Sequence, residues 1–226
     1  MQAASSPQQA RRFGIIGDVH AEDERLRVAL TALSKANLDR LLCCGDLVDG
    51  QGDADKAIAM LAAQGATIVR GNHDRWIRTD ELRTLPHAHR MTALAPSSIE
   101  LLKSLPTTVS IETPAGKLLL CHGTGDNDMQ RLGPSDSGYA ISSNEDLLKV
   151  LFDASIAIMV CGHTHEPMLR KFERGGGKAP LVVVNAGTLA REDNPGFVIL
   201  DVEKRRADFF AIGDDLVITS TSRAVF

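Results

Sequence analysis

Apolar residues come in short runs separated by polar stretches, and their spacing switches between two periods along the chain. Residues 13–17, FGIIG, form a short apolar run of the kind that makes a buried strand. Residues 21–37 follow with acidic side chains in the first turn and Leu26, Ala29, Leu30 and Leu33 at helical spacing. Residues 39–45 repeat the strand pattern, 54–65 read as a helix stopped by glycine, and 66–71 as a third strand. The order strand, helix, strand, helix, strand predicts a mostly parallel sheet covered by helices.

Residues 77–106 break that rhythm. Pro86, Pro96 and Pro106 separate short segments, of which 97–105 reads as a helix, so a small helical cap insertion is expected here. Residues 107–123 predict a hairpin turning at TPAG. Residues 124–140 are polar, rich in glycine and without periodicity, as functional or disordered loops are. A helix over 144–154 and a strand over 155–162 come next. The remainder is β-rich: MLRKFE, PLVVVNAG, FVILDVE, ADFFAIG and DLVITSTS, divided by turns. With no internal repeat, one domain over 13–226 is expected, preceded by a polar tail, 1–12, read as disordered.

Composition narrows the class. A hydrophobic share of 43% in 226 residues is enough for a packed core. The net charge of −4, with no long basic run, argues against a nucleic-acid polymer or an anionic membrane as partner. No run of 18 apolar residues occurs and the first residues lack an apolar signal region, so a cytoplasmic location is the expectation. Cys43, Cys44, Cys121 and Cys161 lie at or near the ends of apolar runs. An adjacent pair is a poor disulfide framework, and buried free thiols are expected, with thiol ligation the lesser alternative.

The unusual polar residues gather where strands end. GDVH (17–20), GDLVD (45–49), GNHD (71–74), CHG (121–123) and GHTH (162–165) each close an apolar run and together hold five of the seven histidines. Taken singly, each is an ordinary turn or cap. Taken together they point to one site, because ligands of open α/β sheets bind at the carboxyl ends of strands. His163 and His165 would face opposite ways on a strand and would not meet on a helix, so an irregular turn at Gly162 is expected. The donor set Asp, His, Asp, Asn, His, His, His has too many oxygens for a structural zinc site. It suits two divalent transition ions such as Mn, Fe, Zn or Co with positions left open for water and substrate.

In these five blocks, over roughly residues 13–200, the chain resembles the calcineurin-like metallophosphoesterases. The resemblance implies a four-layer α/β/β/α sandwich of two mixed sheets. It implies that Asp18, His20 and His165 hold one metal, that Asn72, His122 and His163 hold the other, and that Asp46 bridges them. It gives His73 the place beside the leaving group, and Asp49 the role of orienting it, with Asp74 as a rival. The implied activity is hydrolysis of a small phosphodiester or phosphomonoester by in-line attack of a metal-bridging water or hydroxide. Manganese is the first expectation for the metal, with Fe, Zn, Co and Ni as alternatives.

The departures bear on substrate. Protein serine/threonine phosphatases of this superfamily read GDxVDRG and GNHE where this chain reads GDLVDG and GNHD. Gly50 stands in place of a phosphate-clamping arginine, which argues against a protein substrate and leaves Arg75 or Arg131 as replacements. Asn185, in an NAGT turn, and Asp126, Asp128 and Tyr139 in the long loop are further candidate contacts; Trp76 is expected to pack. The net charge argues against a nuclease, and the complete ligand set against a non-catalytic scaffold. An edge strand in residues 196–226 would allow a homodimer.

Overall fold

Two mixed β-sheets lie face to face, each with helices on its outer side, in a computed structural model that describes residues 9–226. The first sheet holds β1 (Arg12–Ile16), β2 (Arg40–Cys43), β3 (Thr67–Ile68), β9 (Gly196–Asp201), β10 (Arg206–Ile212) and β11 (Ile218–Val225), in the order β11-β10-β9-β1-β2-β3. The second holds β4 (Thr108–Thr113), β5 (Gly116–Cys121), β6 (Ile156–Cys161), β7 (Met168–Phe172) and β8 (Leu181–Asn185), in the order β4-β5-β6-β8-β7. β1, β2 and β3 run parallel in one sheet and β5, β6 and β8 in the other, with antiparallel strands completing both.

Strand alternation builds the layers. In β1, Phe13 and Ile15 face the second sheet, while Ile16 faces the helices α1 (Asp23–Leu33), α2 (Ala54–Ala63) and α4 (Pro96–Ser104). In β6, Ile158 and Val160 enter the inter-sheet core, while Met159 and Cys161 meet α6 (Glu145–Phe152) through Leu147 and Val150. Phe13, Ile15 and Ile16 are fully buried, each stabilising the fold by roughly 1.5–3 kcal/mol. The four layers are those expected. No helix among the described residues is long and apolar enough to cross a membrane.

Several boundaries differ from the expectations. Residues 1–8 of the tail lie outside the described residues. From there the chain is ordered earlier than expected: Ala10 is buried in the inter-sheet core, Arg12 begins β1, and the amides of Arg11 and Arg12 both donate to Asp39. The stretch 77–106 divides. Its first residues finish α3 (Asn72–Thr79), residues 80–95 form a connection with one 3-10 turn, and α4 joins the outer helical layer by burying Leu102. α3 itself escaped the apolar pattern because Ile77 is its one fully buried apolar side chain. The loop 124–140 is ordered and ends at a short helix, α5 (Tyr139–Ser142).

Candidate metal centre

The carboxyl ends of all six parallel strands converge on one edge of the sandwich. β1 delivers Asp18 and His20, β2 Asp46 and Asp49, β3 Asn72 and His73 at the start of α3. β5 delivers His122, and β6 delivers His163 and His165. Sharp turns keep these side chains at the strand ends. His20, Asp46, Asp49, His163 and His165 all have left-handed backbones, with φ of 45°, 47°, 65°, 66° and 60°. Such conformations cost on the order of 1–3 kcal/mol each and persist where the surroundings impose them. The expected irregular turn at Gly162 is present, and a Cβ there would fall 2.1 Å from Asp18 Oδ1. At Gly71 a Cβ would sit equally close to Asp46 Oδ1. Both glycines let backbone approach carboxylate.

The hydrogen bonds at the rim fix which nitrogens carry protons. His20 Nδ1 lies 2.9 Å from the Asp49 carbonyl and His165 Nδ1 2.7 Å from the Asp193 carboxylate, so both Nδ1 atoms donate. Their Nε2 atoms then face each other 3.0 Å apart, an arrangement that is repulsive unless a proton or a metal ion sits between them. Two donors about 2.1 Å from one ion and at right angles to each other would have this separation. A second such pair lies deeper. His122 donates from Nδ1 to the Cys44 carbonyl at 2.8 Å, which leaves Nε2 facing Asn72 Oδ1 at 2.8 Å. Asp18 Oδ1 is buried and without a hydrogen-bond partner, while Oδ2 accepts the His163 amide. Asp46 Oδ2 lies between the pairs, 3.8 Å from His20 Nε2 and 3.4 Å from His122 Nε2.

Ligand atoms of Asp18, His20 and His165, and likewise of Asp18, Asp46 and His122, lie within 4.8 Å of one another. A third set, His20, Asp46 and His73, is equally close. His163 stands beside His122, their ring centroids 5.1 Å apart. The donors therefore fit divalent cations on orphaned lone pairs as well as on residue type. Charge agrees. Burial alone would push His122 and His165 down, yet Asp46 and Asp18 draw His122 up to about 10, and Asp18 with Asp193 draws His165 up to about 9. Burial also opposes ionisation of Asp46, but His122 outweighs it and holds that carboxyl well below the usual range. The pocket carries excess negative charge that protons or metal ions must balance.

His73 sits at the margin of this cluster, its Nδ1 2.8 Å from Asp49 Oδ2. Burial would lower its pKa, but the hydrogen bond to Asp49 and the charge of Asp46 raise it. Asp49 therefore meets the expected orienting geometry, and Asp74 does not. The two Asp74 oxygens are spent on the amides of Leu47 and Gly71 at 2.8 and 2.9 Å, and the residue is fully buried.

The expected substrate contacts fare less well. Arg75 is locked to Asp128 by two hydrogen bonds of 2.8 and 3.0 Å, so these two candidates neutralise each other. Asn185 is fully buried; it bonds the Gly162 carbonyl, the Thr164 hydroxyl and the Gly187 amide, and so shapes the histidine turn instead of reaching solvent. Tyr139 is 83% exposed, Asp126 borders a different pocket beside Lys149, and Trp76 packs edge-on against His73. Arg131 does border the site, in a pocket of about 600 Å³ with His163, His165, Glu166 and Asn194. All four cysteines are buried free thiols. Burial raises the Cys121 thiol to about 12, which disfavours the thiolate a metal would need.

Sequence reasoning missed Asp193, Arg83 and His89. Arg83 grips Asp49 through both terminal nitrogens at 2.8 Å, and the His89 amide donates to the same carboxylate at 2.8 Å. All three lie on irregular connections whose residue pattern carries no signal of where the chain returns.

Comparison with known proteins agrees with this geometry. Among curated proteins, none matches the sequence. Among solved structures, a metallophosphoesterase from Sphaerobacter thermophilus is similar at a TM-score of 0.65 and 17% identity, over 90% of this chain and 88% of that one. An archaeal protein described as a novel phosphodiesterase gives 0.55 at 18% identity over 88% and 99%. Yfce, a phosphoesterase from E. coli, gives 0.54 at 14% identity over 95% and 98%. At these identities the likeness is one of fold. The sequence profile of the calcineurin-like phosphoesterase superfamily domain, however, matches residues 12–205. On that match, the chain belongs to the calcineurin-like phosphoesterase superfamily.

Proposed function

We propose that the chain is a two-metal hydrolase of a small phosphodiester or phosphomonoester. The observation that carries this reading is the pair of close contacts, His20 Nε2 with His165 Nε2 and His122 Nε2 with Asn72 Oδ1, on either side of Asp46, each of which needs a proton or a metal ion between its atoms. Asp18, His20 and His165 would hold one ion, Asn72, His122 and His163 the other, and Asp46 both. Bound there, divalent ions, with manganese the first choice, would supply Lewis-acid charge to a phosphoryl group and lower the pKa of a water molecule.

The chain's own groups do the rest. The Asp49, Asp193 and Cys44 acceptors hold His20, His165 and His122 in the tautomer that leaves Nε2 free. His73 keeps Nδ1–H on Asp49, so its Nε2 is the atom that delivers a proton to the departing oxygen. Against the effect of burial, the hydrogen bond to Asp49 raises the pKa of His73, which favours the protonated ring. Arg131, on the rim of the pocket beside His163 and His165, is suited to a second anionic group of the substrate.

The test is to strip metal, restore manganese, and compare p-nitrophenyl phosphate with bis-p-nitrophenyl phosphate, using Asp46→Asn to expose contaminating activity. Turnover of either ester that depends on metal and vanishes in Asp46→Asn is expected. The preferred ester then separates phosphatase from phosphodiesterase. No turnover with Mn, Fe, Zn, Co or Ni would overturn the reading in favour of a metal-binding scaffold.

A further inference from the structure

Asp49 serves two histidines at once. Its carbonyl takes the Nδ1–H of His20 and its carboxylate takes the Nδ1–H of His73, from a backbone held at φ 65°. Gly50 cannot brace it with a side chain, because a Cβ there would lie 1.8 Å from the His20 carbonyl oxygen. The brace comes from residues 81–90 instead. Arg83 donates from Nη1 to Asp49 Oδ1 and from Nη2 to Oδ2, both at 2.8 Å, with its side chain only 4% exposed. The same guanidinium ties down its own loop, Nη1 to the His89 carbonyl at 2.8 Å and Nε to the Glu81 carbonyl at 2.6 Å. His89 completes the clamp: its amide donates to Asp49 Oδ1 at 2.8 Å, and its Nδ1 accepts the Asp49 amide at 2.9 Å.

From this geometry we infer that Arg83, fastened by the 81–90 loop, is a positioning residue that acts through Asp49 to aim His73. With four of its five N–H groups engaged, Arg83 is committed to Asp49 and is not the missing phosphate clamp. A planar fork matching both carboxylate oxygens fixes the carboxylate's rotation, which a lysine point charge cannot do. With the carboxylate fixed, the His73 ring can point in one direction only.

The kinetic arm of the test rests on the phosphoesterase reading; the spectroscopic arm does not. For the latter, the chain is labelled with ¹⁵N-histidine and loaded with zinc, which is diamagnetic. The proton on His73 Nδ1 is identified as the one lost in His73→Ala. It is expected as a slowly exchanging resonance in the wild type and in the surface control Arg27→Ala. In Arg83→Ala it is expected to broaden away or move, with a smaller change in Arg83→Lys. Absence of the resonance from the wild type, or its persistence unchanged in Arg83→Ala, would overturn the inference.

In the kinetic arm, the preferred ester is assayed with p-nitrophenyl and with unsubstituted phenyl leaving groups. Since a positioned acid contributes roughly 10²–10⁴-fold and matters least for a good leaving group, Arg83→Ala is expected to slow the phenyl ester at least about tenfold more than the p-nitrophenyl ester. Added guanidinium is expected to restore part of that loss, and Arg83→Ala is expected to cost nothing further in a His73→Ala background. Equal losses for both esters, or losses that add in the double variant, would overturn the inference. If the wild type hydrolyses neither ester, the phosphoesterase reading falls, and the resonance alone decides the role of Arg83.

Discussion

The Nε2 atoms of His20 and His165 stand 3.0 Å apart while each ring gives its Nδ1 proton to another acceptor, Asp49 in one case and Asp193 in the other. At that distance a proton or a metal ion must lie between the two nitrogens, and a divalent ion can bind both lone pairs at once. Divalent metal is therefore expected to stabilise the fold. At a free concentration 100 times its Kd, one ion adds about 2.7 kcal/mol. Thermal melts with and without chelator measure this, and an unchanged midpoint would contradict it.

The pH dependence of the metal-free chain follows from the same cluster. A histidine whose pKa rises on folding stabilises the fold below its ordinary value, near 6.5, and that contribution is lost as pH climbs through the folded value. For His165 and His122 the folded values are about 9 and about 10, so these two rings are expected to cost the metal-free protein stability as pH rises from 6.5 to 10. Metal must displace both protons, so affinity is expected to rise across the same window. Calorimetry in buffers of different ionisation enthalpy counts the protons released on binding.

Asp193 is the outer partner of a proposed ligand, 2.7 Å from His165 Nδ1. Removing such a partner commonly weakens metal binding about 10–100-fold. Asp193→Ala is expected to do so, with only a modest loss of metal-free stability near neutral pH because Asp193 is half exposed. Competition with a chelator dye reads the affinity directly.

Asp74 lies inside a signature block and Asn185 in the NAGT turn, but both hold backbone. Asp74→Ala strips acceptors from the buried amides of Leu47 and Gly71, at about 1–3 kcal/mol for each unsatisfied group. A lower denaturation midpoint is the expected outcome. Asn185→Ala is expected to lose stability likewise, with KM unchanged if the variant remains folded, since its side chain never reaches the pocket. A selective rise in KM would mark Asn185 as a substrate contact after all.

Much of this was legible in the chain. The apolar runs around Ile15, Leu42, Leu119 and Val183 gave the strands because a buried strand needs little more than β-favouring apolar side chains. The candidate donors are legible because each sits beside a strand end, where turn residues stand out against apolar neighbours. What escaped notice depends on return paths. α3 has Ile77 as its one fully buried apolar residue and shows no helical stripe. Arg83 lies in a proline-punctuated stretch with no pattern to mark it, and its side chain is buried against a carboxylate 34 positions away. Arg75 looked available for phosphate until Asp128 was found across from it. Pairing between distant polar residues leaves no periodic trace.

The number of metal ions in the centre is measured most directly as the metal-to-protein ratio by elemental mass spectrometry after equilibration with manganese and removal of free ions. Two ions are expected per wild-type chain, about one in His165→Ala, and about one in His122→Ala, each variant emptying a different half of the centre. A wild-type ratio of one or zero, or two ions retained in both variants, would contradict the two-metal assignment.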